Sequence, residues 1–105
     1  SRVFDRGRRA GNRLVLLLAA PSPAEAAGPG RLAVAVSRRH GSAVRRNRLK
    51  RLCREAFRLA RPELPAGYDY VLLPRPSAAL TRDALLAALP ALAERATRSG
   101  REGRS

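Results

Sequence analysis

The stretch Ala43–Ala60 combines side chains that bind phosphate with the spacing of an amphipathic helix. At about 100° per residue, its apolar side chains fall on one side of the helix and its long polar side chains on the other. The apolar side comprises Leu49, Leu52, Cys53, Ala56, Phe57, Leu59 and Ala60. The polar side comprises Asn47, Lys50, Arg51, Arg54, Arg58 and Arg61. Because a guanidinium binds phosphate bidentately and stacks on bases, this pattern predicts binding of a polyanion.

Acidic residues are scarce along this helix. Glu55 is the only one between Arg38 and Arg61, so most of the ion pairs that neutralise a solvated helix cannot form. The alternative is a charged surface that only keeps the protein soluble, but such surfaces usually interleave both signs. We therefore expect a polyanion to cover this face.

Composition supports one domain with a charged partner. The chain has 105 residues, of which 45% are hydrophobic, enough for a modest core. Its 22 basic and 8 acidic residues give a formal net charge of +14, and every basic residue except Lys50 is arginine. This composition favours nucleic acid as the partner over a merely basic enzyme.

The residues that could carry out catalysis are isolated. Cys53 is the only cysteine and lies among apolar residues, which favours a small buried side chain over a reactive thiol. His40 has no partners at metal-ligand spacing, so we interpret it as a loop histidine. A protein nuclease with its own active site needs clustered carboxylates, or a histidine beside an acid. The acids are Asp5, Glu25, Glu55, Glu63, Asp69, Asp83, Glu94 and Glu102, scattered along the chain. We predict no catalytic residue and no metal site.

Three elements are predicted before the basic helix. Val3 and Phe4 have the pattern of a last helical turn, closed by Gly7. Leu14–Ala20 is a short apolar run followed by prolines, which favours a buried strand. Arg31–Ser37 alternates with the period of a strand, and its second face carries only small side chains.

The remaining elements follow the basic helix. Ser42 is the predicted N-cap of that helix. Tyr68–Leu73 is a predicted strand. Thr81 is the predicted cap of a final helix that continues to about Thr97 and is kinked by Pro90. Residues 1–97 would then form a single nucleic-acid-binding domain, with 98–105 as a disordered basic tail.

The N-terminal third also contains a signal-peptide-like order of basic, apolar and small residues. The apolar part, Leu14–Ala20, is short and starts late, so we interpret it as a strand of the domain. No run approaches the ~20 apolar residues of a membrane span. We expect a cytoplasmic protein without a membrane partner.

The segment Val36–Arg58 resembles the bacterial ribonuclease P protein subunit, whose hallmark is an R-N-R-x-K-R-x-x-R-E run. Here that run is Arg46, Asn47, Arg48, Lys50, Arg51, Arg54 and Glu55. The resemblance continues more weakly through V-F-x-x-G-R near the start, G-x-D-x-V-x-x-x-R-P after the helix, and a leucine-rich final helix.

The resemblance implies an α+β fold. It implies a single small domain ordered helix, three strands, helix, strand, helix, with a short first strand near Arg8–Ala10. It also implies a left-handed crossover between the strands that flank the basic helix, whereas such connections are right-handed in ~98% of cases.

The resemblance also implies a function. The chain would be the protein subunit of ribonuclease P, an endonuclease that removes the 5′ leader of precursor tRNA. The catalyst would be the RNA subunit, with magnesium, and no cofactor would be bound firmly by the protein. The implied partners are ribonuclease P RNA and precursor tRNA, and the oligomeric state of the holoenzyme is left open. The alternative is a structural RNA-binding protein of ribosomal type.

The same resemblance implies two binding surfaces. The first faces the catalytic RNA, and Arg58 joins it through its place on the polar side of the helix. Its residues are Arg46, Asn47, Arg48, Lys50, Arg51, Arg54 and Arg58. The second is a cleft between the first helix and the sheet that takes the single-stranded leader. Its residues are Phe4, Arg13, Ser37 and Arg38. The alternative for Phe4 is a core position under the first helix.

Overall fold

A computed structural model describes residues 8–23, 30–76 and 79–102, with side chains as far as Thr97. The strands are β1 (Arg8–Gly11), β2 (Val15–Pro21), β3 (Leu32–Val34) and β4 (Tyr68–Pro74). The helices are α1 (Ala43–Ala60) and α2 (Arg82–Glu102), and short 3-10 turns at Arg38–His40 and Arg61–Glu63 flank α1. The strands form one sheet in the order β1-β2-β4-β3.

The strand pairing confirms the predicted α+β fold class. Strand β2 pairs antiparallel with β1 and with β4, whereas β3 and β4 are parallel. The segment β3-α1-β4 is therefore the predicted strand, helix, strand unit. The hand of its crossover stays a prediction, and the first helix expected around Val3 and Phe4 lies outside the described residues.

The core lies between one face of the sheet and the two helices. Helix α2 packs against α1, β1 and β2, and α1 packs against β3. The predicted apolar face of α2 is confirmed, because Leu85, Leu89 and Leu92 are buried. The main buried side chains contributed by the sheet and α1 are Val15, Leu17, Tyr70, Leu72, Cys53, Ala56, Phe57 and Ala60.

The alternation of Arg31–Ser37 is also confirmed. Leu32, Val34 and Val36 are half-buried, and the small side chains between them are exposed. The paired strand is shorter than predicted because regular pairing with β4 covers only Leu32–Val34. Beyond it, the Ala35 N–H still donates to the carbonyl of Leu72 at 2.9 Å.

The structure differs from the prediction in the extent of the buried side of α1 and in the end of α2. Leu59, predicted on the apolar side of α1, is 40% exposed, because the buried arc is centred nearer Cys53 and Ala60 and leaves Leu59 at its rim. Helix α2 begins at Arg82 as predicted but ends at Glu102 rather than near Thr97. Once a helix is nucleated, each further residue adds a hydrogen bond, so it extends into the segment predicted as a tail.

A buried carboxylate ties the ends of the connector between β2 and β3 to the sheet. Asp69 on β4 is 5% exposed. It accepts hydrogen bonds from the Ser22 hydroxyl at 2.8 Å and from the Arg31 guanidinium at 2.9 Å. Gly30 passes so close to β4 that an added Cβ would lie 1.6 Å from the Tyr68 carbonyl oxygen. Only glycine fits this approach.

The bonds to Asp69 have a consequence for stability. The hydrogen bond from Arg31 is the main cause that lowers the pKa of Asp69 to about 2, with further help from the Arg31 N–H and Ser22, while burial opposes it. A carboxyl whose pKa is lower in the folded state stabilises the fold above its unfolded pKa, ~4. That contribution is lost as the pH falls through the folded value.

We expect Asp69→Asn to lower the free energy of unfolding at pH 7 by ~1–3 kcal/mol, because the ion pair with Arg31 is lost. The deficit relative to the parent should shrink as the pH falls from ~4 toward 2. Urea unfolding across this pH range measures it, with Glu63→Gln at an exposed position as the control. A deficit that is the same at every pH would contradict the role of the ionised carboxylate.

Candidate nucleic-acid interface

Two local features define where α1 begins. The Ser42 side chain accepts a hydrogen bond from the Arg45 N–H at 3.2 Å, which confirms the predicted N-cap. Gly41 has φ of 111°, a conformation that favours glycine, and an added Cβ would lie 2.7 Å from the Arg45 side chain. The start of the helix is therefore set by residues that precede its charged face.

The apolar side of α1 holds the helix against the core. Cys53, Ala56 and Ala60 are fully buried, and the Phe57 ring meets the Tyr70 ring edge-on at 5.7 Å. Burial raises the pKa of the Cys53 thiol to about 12. The thiol is therefore protonated near neutral pH, which agrees with a packing role and not with a nucleophile.

The opposite side of α1 forms a cationic groove. The groove has a volume of about 440 Å³. It is lined by Asn47, Lys50, Arg51, Arg54, Glu55 and Arg58. Glu55 pairs with Arg58 at 3.2 Å, and the first turn of the helix contains no acid. The groove thus presents guanidinium and ammonium donors with one carboxylate among them, which suits a phosphate backbone.

Three residues near this face do not line the groove. Arg61 follows the end of α1, and its guanidinium lies 5.1 Å from the Phe57 ring centroid and donates to the Gly30 carbonyl. The prediction that it shares the polar face is therefore wrong. Arg46 is half-buried and lines no part of the groove. Val44 is 69% exposed beside the charged side chains.

A second depression lies at the carboxyl ends of β3 and β4 and has a volume of about 330 Å³. Its floor includes Leu16 and Leu73, which are partners in the sheet, and the small side chain of Ala35. Arg39 and Arg75 also line it. An apolar floor with cations beside it can accept a base and its phosphate together. We call this depression the sheet cleft.

The structure places the predicted leader-binding residues unevenly around the sheet cleft. Ser37 lines it, whereas Arg38 is exposed on the following turn and Arg39 lines the cleft instead. Arg13 is exposed in the turn between β1 and β2. Phe4 lies outside the described residues.

Arg75 supports the turn that carries Arg13. Its guanidinium donates to the Asn12 carbonyl at 2.9 Å, and its backbone N–H donates to the carbonyl of Leu14. It is therefore a cleft residue that the site prediction missed. The available signal was its place in the R-P pair that ends the segment after the basic helix.

His40 is a second residue whose position was not foreseen. It is buried, and its Nδ1 accepts a hydrogen bond from the Ser37 N–H at 3.0 Å. Because Nδ1 is the acceptor, Nε2 carries the proton and donates to the Pro74 carbonyl at 2.6 Å. The imidazole thus joins the turn before α1 to the end of β4, which a single isolated histidine in a sequence does not reveal.

Two further properties bear on function. Within residues 8–23, 30–76 and 79–97, no three histidine, cysteine, aspartate or glutamate side chains are grouped so that they could hold a metal ion. Neither of the described helices is long and apolar enough to cross a membrane.

The fold and the grooves define a class of protein, a small α+β domain whose strand, helix, strand unit presents a cationic helix face. The sequence model of the family described as Ribonuclease P matches residues 1–97. The chain therefore belongs to the ribonuclease P protein family.

Individual relatives agree with this assignment. The chain is 40% identical to a protein of Brevibacillus brevis named "Ribonuclease P protein component", over 79% of this chain and 65% of that protein. A protein of the same name from Coprothermobacter proteolyticus is 42% identical, over 73% of this chain and 60% of its own length. The match to these curated relatives thus spans less than two thirds of their length.

Solved structures share the fold. The RNase P protein from Thermotoga maritima has a TM-score of 0.72 at 30% identity, covering 86% of this chain and 87% of that chain. The RNase P protein of Staphylococcus aureus has a TM-score of 0.71 at 25% identity, covering 89% and 84% respectively.

Substitutions on the two sides of α1 should affect different properties of the protein. We expect Phe57→Ala to cost ~3–5 kcal/mol of folding free energy through a core cavity. Arg54→Ala should change folding by no more than ~0.5 kcal/mol. It should weaken binding to a bacterial ribonuclease P RNA, with a log-log salt slope smaller by roughly 0.7 to 0.9.

Arg61→Ala is the matched control, because it removes the same charge from a side chain that is turned away from the groove. Its salt slope should stay at the parent value. Binding isotherms at several salt concentrations, with urea unfolding of the same variants, separate these effects. Equal slopes for the Arg54 and Arg61 variants would show that the groove makes no specific phosphate contacts.

Proposed function

We propose that this chain is the protein subunit of a bacterial ribonuclease P ribonucleoprotein. In this role it binds the catalytic RNA and the 5′ leader of precursor tRNA, and thereby assists endonucleolytic maturation of the tRNA 5′ end. The observation that carries the proposal is the cationic groove of α1, in a chain whose family is that of ribonuclease P proteins.

The α1 groove suits the RNA subunit for a physical reason. Its cations are attached to a helix whose other side is buried, so the backbone positions that carry them keep their spacing when no ligand is bound. Each cation that meets a phosphate releases condensed counterions, which gives strong and salt-dependent affinity. In the proposed complex the contacts come from Asn47, Arg48, Lys50, Arg51, Arg54 and Arg58, and the predicted role of Arg46 is retained.

The sheet cleft suits a single-stranded leader. Its floor is apolar and includes a small side chain, so an unstacked base can approach the sheet. Arg39 and Arg75 line the same cleft and can bind the phosphates of the leader. The proposed contacts are Ser37, Arg39 and Arg75 in the cleft. Arg13 and Arg38 lie on exposed turns, from which long side chains can reach a passing strand, and the predicted role of Phe4 is retained.

The protein would assist the reaction by electrostatics rather than by bond cleavage. Catalytic RNA and precursor tRNA are both polyanions, and a subunit with net charge +14 between them reduces their repulsion. The resemblance assigns hydrolysis to the RNA subunit and its magnesium ions, and the cytoplasmic location expected from the sequence is kept as part of the proposal. A protein carrying such charge would lower the magnesium concentration that assembly requires.

A magnesium titration of precursor tRNA cleavage tests this function. With a bacterial ribonuclease P RNA, adding the protein should shift the cleavage midpoint to lower magnesium, and the protein alone should not cut. The gain should shrink for a precursor whose leader is trimmed to its last nucleotide, because the sheet cleft then has no strand to hold. No shift in the midpoint would favour a purely structural RNA-binding protein, and cleavage by RNA-free protein would refute the assigned roles.

A further inference from the structure

A second groove lies beside the cationic groove, between α1 and the first turn of α2. Its volume is about 510 Å³. Its lining from α1 is Arg48, Arg51, Leu52 and Glu55. The other side is lined by Thr81, which precedes α2, and by Arg82 and Asp83 of α2. Arg51 lines both grooves, so the two form one continuous surface. We call the second one the interhelix groove.

Arg82 contributes a guanidinium from a different element of the fold. Its Nη1 lies 3.9 Å from a carboxylate oxygen of Glu55, and its Nη2 lies 3.6 Å from one of Asp83. Both distances are longer than a hydrogen bond, and the side chain is 53% exposed. Such pairs add little to stability, so the N–H groups of Arg82 are still available to a ligand.

Glu55 stands where the two helices meet. The oxygen that lies near Arg82 also accepts a hydrogen bond from Arg58 at 3.2 Å. Glu55 therefore holds Arg58 by a hydrogen bond, and its charge attracts the Arg82 guanidinium from the other helix. Orientation matters because arginine recognises phosphate through a planar fork, and a fork that is already oriented loses less entropy on binding.

We propose that the RNA-binding surface extends across the interhelix groove, with Arg82 as a further contact to the RNA backbone and Glu55 as the residue that positions Arg82 and Arg58. The inference rests on the proposed function but adds a contact from α2 and a role for an acid. A negative charge at a polyanion site is otherwise unfavourable, and this role accounts for its presence.

The Arg82 contact can be measured directly. Arg82→Ala should weaken binding to a bacterial ribonuclease P RNA and reduce the log-log salt slope by roughly 0.7 to 0.9. Arg95→Ala is the control, because it removes the same charge from α2 at a position that lines neither groove. If the Arg82 and Arg95 variants bind with the same affinity and slope, the interhelix groove is not part of the interface.

Glu55→Gln separates positioning from simple charge. If only net charge matters, removing this carboxylate should tighten binding to a polyanion, as should Glu63→Gln to a smaller degree at its remote site. Positioning predicts instead that Glu55→Gln binds several-fold more weakly, with an unchanged urea midpoint. In an Arg82→Ala background the same substitution should cost less, since one of its two targets is gone. Tighter binding by the Glu55→Gln protein would overturn the positioning role.

The Arg54→Ala protein, measured in the same series, distinguishes failure of the Arg82 contact from failure of the whole proposed RNA interface. Weaker binding by the Arg54 variant with parent-like binding by the Arg82 variant would confine the interface to α1. Parent-like binding by both would remove the proposed RNA interface altogether.

Discussion

Packing of the apolar side of α1 against the sheet and α2 is the constraint on which the rest of the structure depends. Like-charged side chains repel one another and would destabilise an isolated helix. Here Cys53, Phe57 and Ala60 are buried, so the helix cannot turn or slide without exposing them. The buried side therefore stabilises an arrangement of cations that is unfavourable by itself and that the proposed binding of phosphates would make favourable.

Residues that flank the two ends of α1 connect its row of cations to the sheet. Before its start, His40 donates to the Pro74 carbonyl and accepts from the Ser37 N–H, which joins the turn before α1 to the end of β4. After its end, Arg61 covers Phe57 and reaches the Gly30 carbonyl. Short connections at both ends of α1 thus hold the helix to the sheet, and the proposed binding of two RNAs at once would require such a fixed relation.

Periodicity and turn chemistry predicted most of the fold. The helix at 43–60, its cap at Ser42 and the alternation around Leu32 follow from local patterns, which tertiary contacts here reinforce. The side-chain positions of Arg61, Arg39 and Arg75 could not be predicted in this way. Where an arginine side chain points depends on what its flexible stem packs against, and that is decided by residues distant in sequence. The pairing of Arg82 with Glu55 is likewise a product of how the two helices meet.

The charged side of α1 is proposed to lie against RNA, and directed cleavage from a tethered iron chelate can show whether it does. The native thiol of Cys53 is buried and its pKa is raised to about 12, so a cysteine introduced at an exposed position is the one that reacts. Val44→Cys places the chelate beside the charged side chains, and Ala91→Cys places it on α2 outside both grooves, with no change of charge in either. With a bacterial ribonuclease P RNA bound, we expect localised strand cuts from position 44 and few from position 91. Cuts of equal strength from both positions, or from position 91 alone, would contradict the account.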